Sequence, residues 1–159
     1  MSSLINPFTV MVSFALFLIL LGYFKPQAAR IVLGIFFLIM ALAVNVPMAL
    51  TQPHMFAEAG RSAYLPIYRW FFTVVIAWNP LLFVIPLILF EISTGLLILS
   101  QGRWAKLGLL FGSLFCLFLA PLGIESVTTP LLALAIALLL RTDCPRPVWK
   151  RALTGSRAG

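Results

Sequence analysis

Residues 68–100 read YRWFFTVVIAWNPLLFVIPLILFEISTGLLILS, and the two halves of this stretch decide what kind of molecule the chain makes. From Leu81 to Ser100 the residues are apolar except for Glu91, Ser93, Thr94 and the terminal Ser100, with Pro86 and Gly95 as further interruptions. At about 1.5 Å per residue, a helix of that length crosses a bilayer core of about 30 Å. The first half, Tyr68 to Trp78, is aromatic, and Tyr and Trp favour the headgroup level. One helix from Trp70 to Ser100 would measure about 46 Å, longer than the core needs. A break at Asn79-Pro80 is therefore expected, with residues 67–79 forming a short interfacial helix or a shallow re-entrant turn.

The rest of the chain repeats the membrane pattern. Of its 159 residues 62% are apolar, with eleven Lys and Arg against four acids and a net charge of +7. That lies far outside the composition of soluble domains. The basic residues sit between apolar runs instead of gathering on one stripe, which argues against nucleic-acid binding. Apolar runs at 8–24, 31–50, 81–100, 107–122 and 124–140 predict an all-α polytopic bundle of five transmembrane spans forming a single membrane domain. The segment before Phe8 carries no Lys or Arg and no clear cleavage site follows, so the first run reads as a retained span.

Charge sets the expected orientation. With the N-terminus outside, Lys25, Arg30, Arg103, Lys106, Arg141, Arg146, Lys150, Arg151 and Arg157 are cytoplasmic, leaving only Arg61 and Arg69 outside. The C-terminal segment 141–159 then forms a basic cytoplasmic tail, and the lipid bilayer is the first partner. Four spans would divide the two basic turns between opposite sides or discard a whole apolar run.

Several chemistries are not expected. Cys116 lies in an apolar run and Cys144 in the tail, too far apart in depth to pair, and no Cys-x-x-Cys occurs for thiol–quinone exchange. His54 and Glu58, in the polar connection Thr51 to Pro66, are too few for a metal site and read as solvated loop residues. Neither a nucleophile with its base nor a phosphate loop is present, so catalysis by this chain alone is not expected.

Glu91 is the residue that needs a reason. Holding it ionised at mid-membrane costs on the order of 3 kcal/mol, and protonating an ordinary Glu at pH 7 costs about 3.7 kcal/mol. Its surroundings therefore decide its state, and without a cation in reach a neutral, hydrogen-bonding carboxyl is expected. Counting from the cytoplasmic ends, Glu91 lies at about 13 Å, Ser113 at about 12 Å, Ser13 at about 16 Å and Asn45 at about 21 Å. The depths favour a Glu91–Ser113 contact across the third and fourth spans, with Gly95 giving the room. Arg69 lies farther out and reaches Glu91 only through its long side chain. Asn45 either satisfies the carbonyl freed by Pro47 or points into a polar cavity at the outer end. Glu91 itself reads either as a proton-carrying or head-group-binding carboxyl in an aqueous or quinone-accessible pocket, or as packing glue between helices. Gly108, Gly112, Cys116 and Ala120 recur every four residues and serve either packing inside the bundle or a homodimer face.

Tyr68-Arg69-Trp70-Phe71, Asn79-Pro80-Leu81-Leu82-Phe83, Glu91 with Gly95-Leu96-Leu97-Ile98-Leu99, and Gly102-Arg103 before Lys106-Leu107-Gly108 together resemble the DoxX-like family of small integral membrane proteins. The resemblance is concentrated between about Pro66 and Gly123. It implies a four-helix bundle starting at Ile31, Leu81, Leu107 and Ile124, with Phe8–Phe24 as an addition. It also implies an inner-membrane location and, in some members, the membrane subunit of thiosulfate:quinone oxidoreductase or an accessory partner of redox or detoxification proteins. Only Glu91 and Arg69 carry over, as polar-site residues. The extra span and the ending Arg141-Thr142-Asp143-Cys144-Pro145 depart from the family pattern. On this reading the chain is an accessory subunit attached to quinone-linked redox chemistry, with a redox partner protein. A binding or carrier protein for a lipid or small amphiphile, and a purely structural helix-packing partner, are the alternatives.

Overall fold

The computed structural model describes residues 7–123 and 128–142. It is all-helical, without strands among the described residues. Helix α1 spans Pro7–Phe24. A break at Lys25 follows, and Pro26 opens α2, which runs to Thr51; proline is pre-organised for a first helical position, where its missing N–H costs nothing. A short α3, His54–Glu58, continues as a 3-10 turn over Ala59–Ser62 and leads into α4, Pro66–Ile76. Helix α5 is Pro80–Leu99, α6 is Gly102–Leu119 with a 3-10 turn over Ala120–Leu122, and α7 is Thr129–Leu139. Residues 124–127, including Glu125, and the tail from Asp143 with Cys144 lie outside the described residues.

Among the described residues, three helices are long and apolar enough to cross a membrane: Pro26–Thr51, Pro80–Leu99 and Gly102–Leu122. Thr9–Phe24 and Thr129–Leu139 are shorter apolar helices. These five pack as a closed ring in which α1 touches α2, α2 touches α5, α5 touches α6, α6 touches α7, and α7 returns to α1. Helix α1 is thus not an addition outside four helices. Ala15 and Leu18 are buried in the shared core, and Gly22 approaches Leu139 so closely that a Cβ would stand 3.2 Å from its side chain. An apolar run next to two others buries a stripe whenever a neighbour offers small residues, and Ala15, Gly22 and Ala29 do so here.

The ring has two unlike ends. At the basic end, near Lys25, Arg103, Lys106 and Arg141, the core is largely aliphatic: Leu18, Leu33, Ile98, Leu109, Ile136 and Leu139 with Phe37. Glycine sets the helix spacing there. A Cβ on Gly95 would meet the Gly34 carbonyl at 2.9 Å, and one on Gly108 would meet the Ile98 amide nitrogen at 2.6 Å. Chain reversal from α5 to α6 uses Gly102 at φ 58°, a left-handed conformation that glycine adopts without steric cost.

The opposite end is aromatic. Helices α3 and α4 fold over it, placing Phe56, Phe72 and Ile76 against Val84, with Phe71, Tyr68 and Phe83 around them. Phe72 and Phe83 meet edge to face with ring centroids 5.6 Å apart, a geometry that places a positive ring edge on a negative face. The α6 terminus is latched to this cap, as the Tyr64 amide donates to the Pro121 carbonyl at 2.9 Å and the Ser62 hydroxyl to the Leu122 carbonyl at 3.2 Å. Both π-helical stretches, Met40–Asn45 in α2 and Phe71–Ile76 in α4, belong to this half. The first has a local cause. Pro47 has no N–H for the Ala43 carbonyl and its ring crowds that turn, and a widened turn relieves the clash.

Exposed side chains match a lipid-facing surface. Leu16, Leu42, Leu82, Leu89, Leu114 and Leu134 point outward from five different helices. Tyr23, Phe24 and Trp104 are exposed near the basic end, and Tyr64, Trp70 and Trp78 near the aromatic end.

Candidate functional site

Where the two packing regimes meet, the bundle buries its polar pair. Glu91 lies one turn from Gly95 on one side and from Leu87 and Ile88 of the aromatic cluster on the other. Asn45 is the last residue of the π stretch in α2. The Asn45 amide Nδ2 donates to Glu91 Oε2 at 2.6 Å, with the two residues 7% and 4% exposed. Thr94, one turn on from Glu91, is also fully buried.

This corrects the expected Glu91–Ser113 contact. Ser113 is buried but turns to α7, where its hydroxyl donates to the Ala133 carbonyl at 3.1 Å. Gly95 gives its room to α2, against Gly34 and Leu38, instead of to α6. Depth counting failed because it placed Cα atoms and ignored side-chain direction. From the Gly34–Gly95 crossing, Asn45 is about 16 Å along α2 and Glu91 about 6 Å along α5. Side chains lean toward their own helix N-terminus, and in antiparallel neighbours these two lean toward each other. A π turn also holds more residues than an α turn, so it advances the chain less per residue.

Asn45 therefore does not spend its amide on the backbone freed by Pro47. Arg69 does not reach the pair either: its Nη2 donates to the Ala63 carbonyl at 3.0 Å and ties down the turn before α4. Gly108 and Gly112 face Leu97, Ile98 and Phe37 within the chain, so these two glycines of the small-residue stripe pack against α5 and α2.

Two features were missed in the sequence. Arg30, read as a cytoplasmic turn residue, is buried at 2% exposure and is not a free cation; its place one position before an apolar run was the available signal. The second is a groove of about 480 Å³ between α5 and α6, walled by Pro86, Leu89, Phe90, Leu97 and Phe111, with Ser93 and Thr94 as its polar atoms. Glu91 does not line it, being turned toward Asn45 of α2. At the aromatic end His54, Glu58, Arg61 and Thr73 line a smaller cleft of about 190 Å³. Glu58 and Arg61 pair there at 3.9 Å on the exposed surface, a geometry that contributes little to stability.

No group of three or more potential metal ligands occurs among the described residues. The buried pair can do two things. An amide donor fixes one carboxyl oxygen in either protonation state, leaving the other oxygen to hold or release a proton. The same donor also satisfies a polar group that would otherwise be costly to bury.

No family model matches the chain, and no curated protein or solved structure matches it either.

Proposed function

We propose that this chain is a five-span, DoxX-like accessory subunit of the inner membrane, and that Asn45 and Glu91 form a proton-exchanging polar site serving quinone-linked redox chemistry on a partner protein. The single observation that carries this reading is the Asn45–Glu91 hydrogen bond, a carboxyl held at the junction of two packing regimes beside a π turn. Intramembrane acids mark proton and ligand paths, and π turns inside α-helices are frequent at functional sites. The five-helix ring, with basic residues at one end and aromatic residues at both, supports five crossings with the N-terminus outside and the C-terminus cytoplasmic.

The test is difference infrared spectroscopy of the carboxyl band in membranes, with Glu91→Gln as the subtraction control, across about pH 4 to 10 and with ubiquinone added or withheld. A band that titrates in this range and shifts when quinone is added is the expected result. A carboxyl that stays neutral throughout and ignores quinone would make the pair packing glue and remove the proposal.

The groove between α5 and α6 favours a second reading, a binding protein for a lipid or small amphiphile. Its apolar walls would take a chain and the exposed Ser93 a polar head. Copurification of such a molecule, displaced by Phe111→Trp without change in the Glu91 band, would support it over the first.

A further inference from the structure

At the basic end, α6 and α7 enclose a groove of about 370 Å³ lined by Arg103, Lys106, Leu107, Leu110 and Leu140. Its chemistry is ordered along α6. Arg103 and Lys106 lie one turn apart at the mouth, and Leu107 and Leu110 continue the same face inward. Both leucines are more than one third exposed, and Leu140 forms the opposing wall. Trp104, 62% exposed, marks the same level as the headgroup region. Among the described residues neither Arg103 nor Lys106 has an ion pair or a side-chain hydrogen bond. The described acids are Glu58, at the far end of the bundle, and Glu91, buried against Asn45.

From this order of charge and then hydrocarbon we infer that the α6–α7 groove binds one anionic phospholipid, with its phosphate between Arg103 and Lys106 and the start of an acyl chain on Leu107, Leu110 and Leu140. Basic pockets between membrane helices recognise acidic head groups in this way. A free phosphate would gain nothing from the leucine floor, and a zwitterionic lipid would bring its own cation against two others. The inference rests on the helices lying in a membrane and not on the quinone reading of Glu91.

The full chain, purified in mild detergent, is equilibrated with phosphatidylglycerol or with phosphatidylcholine, and retained lipid is counted by native mass spectrometry. One phosphatidylglycerol is expected to survive where phosphatidylcholine is stripped. Each basic side chain near an anionic surface corresponds to about a five-fold change in partitioning. Arg103→Gln with Lys106→Gln should therefore weaken retention by roughly 25-fold, while Arg103→Lys with Lys106→Arg keeps it. Lys150→Gln with Arg151→Gln removes equal charge from the tail and should leave it unchanged. Equal retention of the two lipids, or equal loss in the tail variant, would overturn the site in favour of diffuse charge attraction. Should the double glutamine variant fail to fold, competition on the unaltered protein decides. Lysophosphatidylglycerol should displace the lipid and millimolar inorganic phosphate should not; displacement by phosphate alone would leave only an anion site and refute the lipid.

Discussion

The basic and aromatic halves of this bundle solve the same packing problem in opposite ways. In the basic half the helices approach until backbones touch, through Gly34, Gly95 and Gly108, and the gaps hold aliphatic side chains. In the aromatic half two π turns widen the helices and rings fill the space. Lipid tails give no hydrophobic drive for helix association, so close van der Waals packing must hold the first half together. Where that packing ends, a polar pair can be accommodated, and Asn45 and Glu91 sit there. The bundle is rigid where it is glycine-spaced and chemically equipped where it is not.

The largest test of this contrast is a single methyl group. Gly108→Ala puts a Cβ 2.6 Å from the Ile98 nitrogen and 2.9 Å from the Leu97 carbonyl carbon, both backbone atoms of α5. We expect a loss of about 3 kcal/mol, at the upper end of overpacking costs, read by thermal or detergent unfolding of the full chain. Gly112→Ala meets side-chain atoms instead of backbone, the Phe37 ring at 3.2 Å and the Thr94 methyl at 3.5 Å, so a small shift suffices and the cost should be under about 1 kcal/mol. The aromatic half offers the control. Gly60→Ala also crowds its neighbour, bringing a Cβ onto the Phe72 side chain, but it lies in a short 3-10 segment outside the five-helix ring. If Gly60→Ala proves more damaging than Gly108→Ala, the assignment of rigidity to the glycine-spaced half is wrong.

Next in size is the junction itself. Asn45→Leu leaves the buried Glu91 carboxyl without this donor, and we expect about 2 kcal/mol of destabilisation. Glu91→Gln keeps an oxygen for Asn45 to donate to and should stay within about 0.5 kcal/mol. Asn45→Leu with Glu91→Leu removes both polar groups and should recover most of the loss, since replacing both partners is far cheaper than orphaning one. A double-mutant cycle with no coupling would show that the two side chains do not depend on each other.

What the sequence made legible follows the same division. Apolar runs and turn residues locate helices, because hydropathy and proline act locally: Pro26, Pro66 and Pro80 each open a helix. Glu91 stands out for the same reason, a lone acid in an apolar stretch. Its partner was not legible, because depth counting treats helices as rods of fixed rise and the π turn before Pro47 breaks that assumption. Ring closure by α1 was equally hidden, since Ala15, Leu18 and Gly22 look like any lipid-facing residues until α7 is placed beside them. Arg69 was legible as a charge near the outer surface, but the Ala63 carbonyl that it reaches has no sequence signature.

At Arg69 the expected effect is smaller. Arg69→Gln should remove one charged hydrogen bond on an exposed side chain, costing about 0.5–1 kcal/mol. Hydrogen exchange should accelerate over residues 63–70 and leave α5 unchanged. Protection lost along α5 as well would mean that the aromatic cap and the bundle unfold together, and the two halves would not be separable units.

The smallest effect is the most pointed. Ser113 makes a buried side-chain hydrogen bond between α6 and α7, to the Ala133 carbonyl at 3.1 Å. That carbonyl lies inside α7, where the helical ladder already supplies a donor. Ser113→Ala therefore orphans nothing, and the small side chain keeps the helix spacing. Interhelical hydrogen bonds in membrane proteins average about 0.6 kcal/mol, and we expect no more than that here, measured by unfolding the full chain beside Asn45→Leu. A cost for Ser113→Ala matching that of Asn45→Leu would mean that polar contacts hold both halves alike. Glycine spacing would then be a by-product of small residues in α5 and α6, and the placement of Glu91 at the junction would lose its physical explanation.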